Sequence, residues 1–213
     1  MNERLVVSPS PHIHSGFSMT KMMWTVVYAM LPLWAVSIYF FGWGAIYLVL
    51  VAVAACMFFE WAIAKYLLKI PATLGDGSGI ITGMLLAFNV PSDLPIYIVI
   101  IGSFVAIAVG KMSFGGLGQN PFNPALVGRV FMLISFPAPM TTWPVPKALY
   151  FGLDGTTGAT PLGIIQEGLR NGEKVSDLMD QMPSYWDLAI GSMGGSMGEV
   201  SAIAIIIGLI YMI

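Results

Sequence analysis

Met22–Phe41 reads MMWTVVYAMLPLWAVSIYFF, and a second run, Tyr47–Ala64, reads YLVLVAVAACMFFEWAIA. No Asp, Glu, Lys or Arg stands between Lys21 and Glu60. A straight helix needs about 20 apolar residues to cross the hydrocarbon core of a bilayer, so each run is a candidate span. Gly42 and Gly44 punctuate the turn between them, and Lys65, Lys69 and Pro71 close the second. The whole chain agrees. Hydrophobic residues make up 57% of 213 and charged residues 9%, where a soluble domain carries about 25% charge. These observations predict an all-α integral membrane protein.

Later apolar stretches are shorter and more broken. Ile80–Val90 follows the glycine-rich segment Gly75–Gly79 and is too short to cross comfortably, so it reads as a partial span. Ile96–Val109 is the next span and leads to Lys111. Gly115–Arg129, GGLGQNPFNPALVGR, comes next, with a short apolar helix from Ala125 to Phe136. Pro137, Pro139, Pro144 and Pro146 break the chain beyond it, and a final span is expected from Leu188 to Ile213. The domain reading is therefore a segment 1–21, a membrane region 22–136 with about five full or partial spans, a polar stretch 137–187, and a further transmembrane helix 188–213. Ile213 ends an apolar run without a polar flank, which suggests a piece of a longer protein. The polar start, with Pro9 and Pro11, does not read as a cleavable signal peptide.

Basic residues near span ends set orientation. Arg4, Lys21, Lys65, Lys69 and Lys111 fall on one side if the first span starts in the cytoplasm. The segment 1–21 is then cytoplasmic and 137–187 lies outside. A net charge of −2 without a basic run argues against a nucleic-acid partner. Cys56, the single cysteine, sits in an apolar run and reads as a small core residue. His12 and His14 have no further ligands in reach, so no metal site is expected. No dinucleotide fingerprint, Walker loop, HExxH or Ser/His/Asp set is visible, and no catalytic residue is assigned.

Three polar constellations remain. The first is Asp154-Gly155-Thr156-Thr157-Gly158-Ala159-Thr160, with Pro161 directly after it. Pro161 suits the first position of a helix and biases Thr160 towards an extended backbone. Thr160 is then the N-cap of a helix running towards Leu169. A phosphate on its hydroxyl would meet the positive helix end. Gly158 and Ala159 keep the approach open, and Asp154 could orient the threonine. The plain alternative is an ordinary capping residue in a Gly/Thr-rich loop. The second constellation is Asn120, Asn123 and Arg129. Each Asn precedes a proline and should cap the next segment, and an Arg inside a span needs a partner. A ligand phosphate, a ligand ring carbonyl, Glu60, Asp76 and Glu199 are all open, as is a purely structural ion pair. Glu60 itself is expected to snorkel with Lys65. The third is Gly191–Ser201, GSMGGSMGEVS, where small residues suit close helix packing and Glu199 could serve an ion path or pair with Arg129.

Four blocks in order resemble the RnfD/NqrB family of membrane redox subunits: Ser8–His12 (SPSPH) ahead of the first span, FGGLGQNPFNPALVGRVF from Phe114, DGTTGATPLG from Asp154, and GSMGGSMGEVSA from Gly191. The short lead and the TGATPL form are closer to the RnfD branch. The resemblance implies covalent FMN held by a phosphodiester to Thr160, with Asp154, Thr157, Gly158, Ala159, Asn120, Asn123 and Arg129 as further candidates for cofactor binding, and leaves a second, non-covalent flavin open. It implies a multispan helical bundle with discontinuous helices, related to urea and ammonium transporters, in the inner membrane. It also implies an electron-transfer role, without catalysis by the chain alone, in a complex coupling ferredoxin:NAD+ electron transfer to Na+ or H+ translocation. Its partners would be other Rnf subunits and a flavin transferase. A solute channel without redox role is the competing reading.

Overall fold

A computed structural model of the chain describes residues 18–71, 73–146, 157, 158, 160–172, 178, 182–199 and 201–213. Helix α1 spans Met19–Phe41, and Ser18 caps it by accepting a hydrogen bond from the Lys21 amide. The helix therefore starts three residues before the apolar run does. Gly42 alone makes the turn, at φ 58°, and α2 begins directly at Trp43. Gly44 is already helical and lies against Ser92, where a Cβ would strike the Ser92 carbonyl. α2 covers Trp43–Ala62 and widens into a π-turn, Ile63–Leu68, that ends at left-handed Lys69. α3 is Ser78–Phe88, and α4 is Ile96–Ala108 with a 3-10 turn at Met112–Phe114. α5 is Pro124–Ser135, α6 a single turn at Pro137–Thr141, α7 Pro161–Arg170, α8 Tyr185–Ile190 and α9 Ala202–Met212.

Three of these helices are long and apolar enough to cross a membrane: Met19–Phe41, Trp43–Leu68 and Ile96–Phe114. Among the described residues all regular structure is helical. At 1.5 Å per residue α3 and α9 are each about 16 Å long, half a bilayer core. The single final span expected from Leu188 is not the one that forms. α8 stops at Gly191, the described backbone is irregular through Glu199, and α9 begins at Ala202. The cause lies in the sequence GSMGGSMGEVS itself, since glycine at this density weakens a helix and the irregular backbone finds partners inside the bundle: Gly198 N–H donates to Phe88 O at 2.8 Å and Ser37 Oγ lies 2.7 Å from Met197 O.

Close packing rests on small residues. The backbone of α3 at Gly83 lies so near α2 that an added Cβ would be 2.5 Å from Val53 Cα and 2.7 Å from Val53 N. Gly128 of α5 packs on the Gly102 carbonyl of α4, and Gly208 of α9 packs on the Ala29 carbonyl of α1. Such contacts let helices gain van der Waals energy where lipid offers no hydrophobic driving force between them. The core they enclose is apolar: Ala45, Leu48, Val49, Ala52, Leu86, Ala87, Ile98, Val99 and Met132 are all buried. Cys56 is fully buried, as its apolar setting predicts.

Candidate functional site

A largely buried polar chain links four side chains. Lys111 Nζ lies 2.6 Å from Glu60 Oε1 and 2.7 Å from Ser78 Oγ, and Lys111 is only 2% exposed. Ser78 Oγ in turn donates to Asp76 Oδ1 at 2.7 Å, and the Ser78 amide reaches the same oxygen at 2.9 Å. One ammonium thus ties α2, the start of α3 and the end of α4 together. Two expectations fail here. Glu60 does not snorkel with Lys65, whose Nζ instead lies 4.9 Å from the Trp61 ring centre. Lys111 is not a headgroup-level flank charge, because the buried carboxylate holds it inside the bundle. Glu60 and Lys111 were both visible as charges in or beside apolar runs, the signal that marks a pairing need. Sequence offered Lys65 or Arg129 as the partner of Glu60 and missed Lys111, since that pairing depends on how α2 and α4 cross.

Lys111 and Ser78 also form one wall of a pocket of about 260 Å³. Asn120, Asn123, Thr82, Met23 and Leu117 line much of the rest. Asn123 caps α5, its Oδ1 accepting from the Ala125 amide at 3.0 Å. Asn120 does not cap a helix: its Nδ2 donates to Phe122 O at 2.7 Å and so closes the turn between the two prolines.

Arg129 lies elsewhere. It lines a separate cavity of about 480 Å³ with Leu33, Leu85, Phe88, Asn89, Ser196, Gly198, Glu199 and Ile205. Its Nε is buried and has no hydrogen-bond partner. Of the carboxylates considered for it, Glu60 and Asp76 are engaged in the Lys111 network. Glu199 faces the same cavity, accepting from Ser196 Oγ at 3.1 Å. Thr82, Asn120 and Asn123 therefore belong to one pocket and Arg129 to another.

Thr160 is absent from both linings. It adopts φ −70°, ψ 157°, and its Oγ1 accepts from the Gly163 amide at 3.1 Å. Pro161 occupies the first turn of α7. The expected N-cap is thus present, at the start of the expected helix. The segment before it is anchored: Thr157 bridges Pro144, and Gly158 N–H donates to Trp143 O at 3.0 Å. Gly158 sits so close to Val145 that a Cβ would be 2.6 Å from Val145 Cγ2. Asp154 and Ala159 lie outside the described residues, as do Arg4, His12 and His14. Among the described residues no group of three or more His, Cys, Asp or Glu could hold a metal ion.

The sequence matches the profile of the NQR2, RnfD, RnfE family over residues 6–213. The chain belongs to that family. Among its relatives is a protein of Clostridium ljungdahlii, named as the D subunit of a proton-translocating ferredoxin:NAD(+) oxidoreductase complex, 40% identical over 97% of this chain and 61% of the relative. Another, of Acetobacterium woodii, is named as the D subunit of a Na(+)-translocating ferredoxin:NAD(+) oxidoreductase complex and is 45% identical over 100% of this chain and 64% of the relative. The D subunit of an ion-translocating oxidoreductase complex of Actinobacillus succinogenes is 38% identical over 82% of this chain and 58% of the relative. The chain thus spans less than two thirds of the length of these family members.

Proposed function

We propose that this chain is part of an electron-transfer subunit, of the RnfD type, in a membrane complex that couples ferredoxin:NAD+ electron transfer to the movement of Na+ or H+. FMN is carried on Thr160 through a phosphodiester. The observation that supports this most directly is the geometry of Thr160. An extended N-cap residue presents its hydroxyl at a helix start, where amide donors and the positive helix end favour a phosphate. The residues around it fit that attachment. Thr160 is only partly buried, Pro161 keeps its backbone extended, and the hydrogen bond to Trp143 holds the preceding Gly158 in place. When bound, FMN supplies one-electron and two-electron redox chemistry that protein side chains lack. Thr160, Thr157 and Gly158 would position it. Asp154 and Ala159 complete the motif.

Orientation comes from the basic flanks. With Lys111 removed from the count, Lys21, Lys65 and Lys69 still favour a cytoplasmic start for α1, which puts Thr160 on the outer side of the inner membrane. Electrons would pass to and from flavin and iron–sulfur subunits of the same Rnf complex, and a flavin transferase would load Thr160.

The test is intact mass of the native chain. We expect an increase of one FMN less one water, mapped to the peptide containing Thr160, and its loss in Thr160→Val. An unmodified Thr160 peptide from native membranes overturns the assignment. The half-length helices α3 and α9 favour a second reading, a solute channel without redox role. That reading expects an unmodified chain and solute flux in vesicles.

A further inference from the structure

Two interrupted elements meet at one point inside the bundle. α3 ends at Phe88, and the irregular segment before α9 docks there through the 2.8 Å bond from Gly198 N–H to Phe88 O. Discontinuous helices that meet in this way are where transporters hold their ions, with half-helix C-termini facing the cation. The cavity at this point, about 480 Å³, has room for an ion with its water, since each water takes about 30 Å³ in the liquid.

Its polar lining is a set of oxygen ligands beside one fixed cation. Glu199 supplies a carboxylate, held by the 3.1 Å bond from Ser196 Oγ. Asn89 spends its amide NH₂ on Leu85 O at 2.7 Å, which leaves its amide oxygen for a ligand. The C-terminal end of α3 adds partial negative charge. Arg129 faces the same cavity with its Nε buried and unpartnered. Glu199 is exposed and Arg129 only half-buried, so both meet water at the cavity, with no ion pair between them among the described residues; ionisable groups that line a water-filled cavity of a membrane bundle mark ion pathways.

We propose that this cavity is a station for the translocated monovalent cation. Glu199 is its anionic ligand, and Arg129 is the resident countercharge that the cation displaces. In one arrangement Arg129 swings to Glu199 and closes the cavity. In the other Glu199, Asn89 and Ser196 hold the cation, and the guanidinium stands off. Both arrangements use the same carboxylate, so occupancy by the cation and pairing with Arg129 exclude each other. The proposal rests on the reading of the chain as part of an ion-translocating complex.

The experiment uses the native complex in sealed vesicles, selected first for FMN fluorescence on the subunit. That selection separates failure of the flavin assignment from failure of this one. Electron transfer from reduced ferredoxin to NAD+ is measured with an ionophore present, and cation uptake is measured without it, as radioactive Na+ uptake and as internal acidification. For Glu199→Gln we expect uptake per electron to fall at least about tenfold while ionophore-released electron transfer stays within about twofold. Arg129→Lys keeps the countercharge and should retain uptake. Arg129→Gln should leave the cavity open and leaky, so that the cation gradient decays faster. Loss confined to Na+ uptake identifies Na+ as the ion, and loss confined to acidification identifies H+. Unchanged uptake per electron in Glu199→Gln overturns the proposal. So does an equal fall in uptake and ionophore-released electron transfer in both Glu199→Gln and Arg129→Lys, which would mark the pair as structural.

Discussion

Lys111→Met removes the ammonium at the centre of the Glu60–Lys111–Ser78 contact. The side chain it replaces is 2% exposed and Glu60 is 4% exposed, so water cannot re-enter cheaply to solvate the carboxylate left behind. Glu60 Oε2 already lacks a partner. Removing the Oε1 contact at 2.6 Å leaves both oxygens of a buried carboxylate without a countercharge. Breaking a buried pair from one side costs about 3–5 kcal/mol. For a chain of this size each kcal/mol moves the unfolding midpoint by about 2–4 °C, so we expect a fall of roughly 10 °C. The assay is thermal unfolding of the chain in mild detergent, tracked by tryptophan fluorescence. Lys111→Met combined with Glu60→Gln removes both charges and should recover more than half of the loss, because the main penalty is the orphaned charge rather than the missing attraction. Glu60→Gln alone leaves the ammonium with Ser78 and should fall between the two. A midpoint for Lys111→Met within about 2 °C of the parent, less than 1 kcal/mol on the same scale, would refute the reasoning, and so would a double variant as unstable as the single one.

Gly83→Ala should destabilise the α2–α3 contact by about 1–3 kcal/mol, because the new methyl meets Val53 backbone at 2.5 Å and the helices must part; Gly75→Ala, with nothing within 4 Å of its Cβ, is the control and should be close to neutral in the same thermal assay. Thr160→Asn separates capping from flavin attachment: Asn preserves the N-cap, so stability should change by only a few tenths of a kcal/mol, while in-gel flavin fluorescence disappears. Thr160→Val should lose both the fluorescence and about 1 kcal/mol of α7 stability.

Sequence by itself determined the membrane character, the positions of the long helices and the start of α7. These are local matters: an uncharged run of about 20 residues can only be buried in lipid or protein, and a Thr-Pro step sets its own backbone. The Asn123 cap of α5 was legible for the same reason. Partner choice was not. Glu60 and Lys111 are 51 residues apart, and only the crossing of α2 and α4 brings Nζ to the carboxylate and leaves Lys65 on the surface. Asn120 and Arg129, close together in one motif, end in different cavities, because α5 carries Arg129 away from the loop that holds Asn120. The break at 191–201 was marked by its glycines, yet an apolar run to Ile213 outweighed them in the reading of a single span. Tertiary structure decided otherwise: Phe88 and Ser37 supply from distant helices the hydrogen-bond partners that let irregular backbone persist inside the bundle.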